Sequence, residues 1–251
     1  MKASEIIALA KKGKPVQVVG KIIIGDLDFT AAGKPFVVTA NMLRCEIQSN
    51  IFFEQCVFMG KVTSNGKHRG LSVQTCFRNN LVYTGCDFRG ETDFDGAVVF
   101  GMVNFSRSVF REKATFNNMA VWAKDSSFAR INAEKEFSMI YALFVGNLNF
   151  FDAVFQEYTS FQETTVKGKL MFNNVSFEER SGFDMMEVYG NAFFNYAKFK
   201  KIADFSWARF MGAVEFVNVT LEEQANFEKT TFLNTVNLEG VDHTRLNHLN
   251  P

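Results

Sequence analysis

From residue 144 onward the large apolar side chains return at alternating steps of six and five. They fall at Phe144, Phe150, Phe155, Phe161, Val166, Phe172, Phe177, Phe183, Val188, Phe194, Phe199, Phe205, Phe210, Phe216, Leu221, Phe227, Phe232 and Leu238. Two residues before most of them stands a small or β-branched side chain, as at Ala153, Thr159, Ala192, Ala203 and Val214. The same beat runs less cleanly through Tyr83, Phe88, Phe94, Phe100, Phe105, Phe110, Phe116, Trp122 and Phe128. Three successive steps of six between Phe110 and Phe128 predict a local irregularity.

An eleven-residue double step is also the period of a right-handed helical supercoil. On an α-helix, however, a five-residue step carries the side chain about 140° around the axis, so successive Phe residues form no single stripe. In a strand, residues two apart point the same way. The small residue and the following Phe then share an inner face, with a polar residue between them turned outward, as in Ala203-Asp204-Phe205 and Ala225-Asn226-Phe227. The residues left over turn a corner. Short strand and corner, repeated, wind into a solenoid whose backbone hydrogen bonds run between coils.

Ala153-Val154-Phe155-Gln156-Glu157, Ala203-Asp204-Phe205-Ser206-Trp207 and Ala208-Arg209-Phe210-Met211-Gly212 give the pattern in its plainest form. In these stretches the chain resembles the pentapeptide-repeat family. The resemblance implies an all-β fold, a right-handed four-sided parallel β-helix. It covers residues 77–240, with a degenerate version reaching back through Cys56-Val57-Phe58. The departure is one extra residue in every second step. A coil then runs five, six, five, six, and the insertions lie on two opposite sides. At ~22 residues per coil and ~4.8 Å rise, residues 77–240 make about seven coils, on the order of 35 Å. The Phe side chains of the regular stretch are its expected core.

Composition agrees with many equivalent core positions, since 30 of 251 residues are Phe against 5 Tyr, 2 Trp and 3 Pro. A solenoid needs capped ends. Residues 1–24 read as an N-terminal cap: a short amphipathic helix over 3–12, ended by Gly13 and Pro15, then one or two strands from Val16 to Ile24. Residues 25–76 read as degenerate first coils. Residues 241–251, short and polar, read as a C-terminal cap or tail, or as a surface that pairs with a second copy, as the resemblance allows. Within 59–71 the beat breaks. Asn65-Gly66 signals a turn there, followed by Lys67, His68 and Arg69. This is either a partner-contacting loop or a solvated hairpin tip, and the second is the simpler reading. Gly60 to Lys67 has some of the spacing of a phosphate-binding loop, but the glycines are off by one and His68 stands where a Ser or Thr would hold magnesium.

Formal net charge is zero, which argues against a polyanion binder and against an acidic DNA mimic alike. Residues 1–70 carry 10 Lys and Arg against 5 Asp and Glu, so the excess of bases is N-terminal. Cys45, Cys56, Cys76 and Cys86 lack CxxC spacing. Cys56 and Cys86, two before Phe58 and Phe88, are expected as inert thiols in the inner small slot, and Cys45 before Ile47 similarly; Cys76 has no assigned place. No signal peptide and no apolar stretch of about 20 residues is evident, so a cytoplasmic protein is expected. His243 and His248 are five apart with Asp242 as the nearby acid, a poor metal set. No catalytic cluster, metal site or cofactor site is expected, and no direct nucleic-acid or membrane contact. The function expected is a non-catalytic scaffold for an unidentified protein partner. The resemblance supplies an alternative, a DNA-mimicking binder of DNA gyrase or topoisomerase IV, which would need a continuous acidic face over residues 134–239.

Overall fold

The computed structural model describes residues 1–33 and 35–249. It is a parallel β-solenoid with one helix, Ala3–Lys11. Four sheets run the length of the rod, here numbered faces 1 to 4 in chain order, with 10, 9, 10 and 11 strands. Face 1 begins at Val16–Val19, face 2 at Ile22–Ile23, face 3 at Leu27–Asp28, and face 4 at Phe36–Thr39. From Phe137 until the last strand of face 3, each strand lies parallel to its counterpart in the next coil at constant spacing, Leu148 on Leu170, Leu170 on Ala192 and Ala192 on Val214. Coils therefore repeat as five, six, five, six, with the longer steps at the face 2→3 and face 4→1 corners.

The inner rings stack in columns. Under face 1, Phe53, Tyr83, Phe105, Phe128, Phe150, Phe172, Phe194 and Phe216 follow one another at 4.9–5.4 Å between centroids, within 20° of parallel. Under face 3, Phe161, Phe183, Phe205 and Phe227 do so at 5.4, 4.6 and 5.0 Å. From Phe144 on, all the Phe residues expected in the core are buried except Phe232, which is half-buried in the last coil.

The corners explain the two step lengths. In the shorter step only two residues separate the inner ring from the next small residue. The turn closes by a hydrogen bond, Ala153 N–H to the Phe150 carbonyl at 3.0 Å, and forces its third residue to positive φ, 61° at Asp152. In the longer steps the backbones of successive coils pass close together. A Cβ on Gly168 would lie 2.5 Å from the Gly146 carbonyl carbon, and one on Gly190 2.5 Å from the Gly168 oxygen, so this row at the 4→1 corner is glycine.

Two expected inward residues point outward. Val99 and Val121 are buried, whereas Phe100 and Trp122 are exposed, 44% and 53%. The step from Phe94 is five, to Val99. The irregularity is a single extra residue at the corner after Val121. Ala120 pairs with Leu143 where the regular spacing would bring Ala142, while Ser126 pairs with Leu148 in the ordinary register. One coil absorbs the insertion and the repeat resumes.

The first two coils are longer. Val16 pairs with Ile51, and Ile51 with Leu81, each span exceeding the regular coil. The first insertion holds a 3-10 turn, Phe29–Ala32, and a hairpin of Phe36–Thr39 on Met42–Ile47 that the sequence analysis did not anticipate. The helix caps this end, as expected, burying Ala3, Ile6 and Ala10 over the first coil. It is tied down by the Ala3 N–H to the Ile24 carbonyl, 3.0 Å, and the Ser49 hydroxyl to the Ala10 carbonyl, 3.4 Å. At the other end the turn His243–Arg245 leads into Leu246–Asn247, which pairs parallel with Ala225–Asn226 and adds the last strand of face 3. Residues 250 and 251 lie outside the described residues.

Candidate functional site

Apolar side chains fill the interior, so any site is on the outer surface. The basic segment near residue 67 is a hairpin: Asn65–His68 runs antiparallel to Leu71–Phe77, at the edge of face 4. Its turn is not at Asn65-Gly66, which lie within the strand, but at Arg69-Gly70. Both have positive φ, 50° and 82°, the signature of a tight two-residue hairpin turn. The base is pinned by the Thr75 hydroxyl donating to the Ser64 carbonyl at 2.5 Å and by the Asn65 amide donating to the Asp93 carboxylate. Lys67, His68 and Arg69 are exposed on it. Lys67 borders a shallow groove with Met42, Gln74, Asp95 and Asn118.

Ionisable groups elsewhere form rows rather than clusters. At the 2→3 corner, bases and acids of adjacent coils alternate: Lys61 to Glu91 at 3.4 Å, Lys113 to Glu136 at 2.8 Å, Lys135 to Glu157 at 2.7 Å, Lys200 to Glu178 at 2.5 Å and Lys201 to Glu223 at 3.1 Å. Lys200 holds the Glu178 carboxyl below its usual range, helped by the Ser176 hydroxyl. Exposed pairs of this kind contribute roughly 0–1 kcal/mol each. Within residues 134–239 these pairs set Lys135, Lys200 and Lys201 among the acids of that corner.

All four cysteines are free and buried. Cys56 and Cys86 occupy the inner small slot of face 2 in adjacent coils, and Cys45 the same slot of face 4. Cys76 lies on the outer side of face 4, in register between Glu46 and Val98, and is covered there. The sulfur contact with Cys56, and burial, push the Cys86 thiol up; burial does the same at Cys45 and Cys76. High thiol pKa values make Cys45, Cys76 and Cys86 poor nucleophiles, while Cys56, held down at about 6 by the contact with Cys86, is shut off by burial. His243 lies in the C-terminal 3-10 turn and His248 follows it at positive φ. Among the described residues no group of three or more His, Cys, Asp or Glu is placed to hold a metal ion, and no helix is long and apolar enough to cross a membrane.

The surface feature the sequence analysis missed is on face 4, because Phe100 and Trp122 were read as core. A local signal was present: Ala97-Val98-Val99 repeats the small-x-apolar pattern one residue earlier than Phe100. No protein-family model, curated protein or solved structure matches this chain.

Proposed function

We propose that this chain is a pentapeptide-repeat-type scaffold, without catalysis of its own, that binds another protein through its faces or ends. The observation that carries the reading is the unbroken column of eight stacked rings beneath face 1, from Phe53 to Phe216. Ring stacking inside a closed set of four sheets makes a stiff rod with repeated, nearly flat outer faces, the kind of extended surface that solenoids offer to partners. The immobilised chain, exposed to native lysate, is expected to retain a protein that co-sediments with it at fixed stoichiometry. Retention of background proteins alone would count against the scaffold.

The C-terminal end favours a second contact, with another copy. Thr220–Leu221, Thr231–Phe232 and Val236–Asn237 are the last strands of faces 2, 4 and 1, and Phe232, Val236 and Leu238 beside them are only half-buried. Open strand edges over half-exposed apolar residues are a pairing surface. Sedimentation at micromolar concentration is expected to give a dimer, and a monomeric mass would remove it. The topoisomerase alternative gains no support from the alternating charges of the 2→3 corner. The scaffold reading expects gyrase supercoiling to be unaffected by the purified protein, and inhibition or quinolone protection would overturn it in favour of the DNA mimic.

A further inference from the structure

The outer side of face 4 is built unlike the 2→3 corner. Over three coils, from Gly96 to Val145, its outward side chains are uncharged, with Val98 and Phe100, Ala120 and Trp122, Leu143 and Val145 in three successive rows. Each row crosses from the middle of the face to the 4→1 corner, so the six side chains form one contiguous patch about 10 Å tall, at ~4.8 Å per coil. Clusters of exposed aromatic and aliphatic side chains without charge are uncommon on a free surface and are the composition of interface cores.

The rings are not presented as open platforms. Arg78 lies over the Phe100 ring at 4.9 Å, and Phe100 stacks on Trp122 with centroids 6.4 Å apart and planes 15° from parallel. Both faces of Phe100 are therefore occupied, which disfavours insertion of nucleobases and leaves ring edges and aliphatic groups to be covered. Around the patch bases outnumber acids, with Asp95 in the groove beside Lys67 and Asp125, which accepts from the Asn147 amide, next to Lys124. Lys67 stands at one side; Lys124, Lys167 and Lys169 follow along the 4→1 corner, Lys167 lying over the Tyr189 ring at 3.3 Å. Among the described residues none of these four lysines forms an ion pair, whereas the 2→3 lysines named above are each paired with an acid of the next coil or the last.

We propose that face 4 between Gly96 and Val145 is a protein-docking surface whose occupant is a segment of another protein carrying apolar anchor side chains flanked by Asp or Glu. This rests on the scaffold reading and assigns it a place and a partner chemistry. Burial of the six apolar groups supplies the attraction, and the unpaired lysines select the acidic flanks and raise the association rate.

The test is to pan a random peptide library displayed on phage against the folded full chain, and in parallel against a Phe100→Ser/Trp122→Ser variant. Peptides enriched on the wild-type chain are expected to carry Leu, Phe or Trp beside Asp or Glu. A fluorescent synthetic copy of one should bind about tenfold or more weakly to Trp122→Ser. It should also weaken with added salt and with Lys124→Glu/Lys167→Glu, while Trp207→Ser, at another corner, leaves it unchanged. The lysine reversals involve exposed side chains and keep the test valid should the double serine variant misfold. Enriched peptides with no acidic bias overturn the stated chemistry. Peptides that bind wild type and the serine variant alike overturn the face but leave the scaffold standing. Failure to enrich any peptide on either protein counts against the scaffold itself. Self-association abolished by Trp122→Ser, or binding of a single-stranded oligonucleotide abolished by the lysine reversals, would make a second copy or a nucleic acid the occupant and sink the proposal.

Discussion

Individual side chains show where the repeat is obeyed at a cost. Tyr83 occupies a Phe position in the face 1 column, stacked between Phe53 and Phe105, and its hydroxyl is buried with no hydrogen-bond partner among the described residues. Burial pushes its phenol well above the ordinary range. An unsatisfied buried hydroxyl costs about 1–3 kcal/mol, so Tyr83→Phe is expected to raise the thermal midpoint by that stabilisation; a lower midpoint would show that the hydroxyl has a partner. Two small-slot hydroxyls reach the carbonyl of the preceding coil, Ser108 donating to the Tyr83 carbonyl at 2.7 Å and Thr164 to the Met139 carbonyl at 2.5 Å, whereas those of Thr92 and Ser181 have no partner among the described residues. At the 1→2 corner Tyr196 holds φ of 59° in a row whose neighbours are Asn174 and Asn218. Bulky side chains are disfavoured there by about 1–2 kcal/mol, which asparagine partly avoids. Tyr196→Asn should therefore stabilise by roughly 1 kcal/mol in denaturant melts.

At the scale of the strand and its column, large and small residues trade places across a corner. The face 2 column is interrupted at Ala133, between Phe110 and Phe155. Phe137, in what should be the small slot of face 3 between Ala114 and Thr159, sends its ring into the gap, 6.1 Å from Phe110 and 5.1 Å from Phe155. Phe137→Ala is expected to cost about 3–5 kcal/mol by opening a cavity. Adding Ala133→Phe should recover about 2 kcal/mol of it, measured as the coupling term of a double-mutant cycle. Strict additivity would mean that the two sites do not share the space. This exchange, and the extra residue after Val121, are why the sequence pattern blurred between Phe110 and Phe144. The period was legible wherever each column kept its own residue type. It misled where volume was conserved by a neighbour, and where Val99 and Val121 took the inner position beside more conspicuous aromatics.

The whole rod is a stack whose two ends are treated differently. The helix Ala3–Lys11 seals the N-terminal end, while among the described residues the last coil leaves three sheets with open edges. Removing residues 1–12 is expected to expose the first coil and drive association, seen as light scattering at concentrations where the intact chain stays clear. A truncated chain that remains clear would show the helix to be dispensable. Around the rod, charge is sorted by corner: paired ladders at 2→3, unpaired lysines around an apolar surface at 4→1. Net charge summed over the sequence, being zero, conceals that division.

The solenoid and the alternation of short and long steps followed from spacing, because a side chain's inward or outward direction along a strand is fixed by parity; the number of faces came only with the resemblance to pentapeptide repeats. The first two coils, with their hairpins at Phe36–Ile47 and Asn65–Phe77, did not, since each insertion is a single event with no repeat to reveal it. Nor did the surface of face 4. Which residues become neighbours from one coil to the next depends on the register of coil upon coil, and one misplaced step turns a core ring into an exposed one. That is why Trp122 changed from filler of the interior to the centre of the proposed docking face only once the coils were stacked.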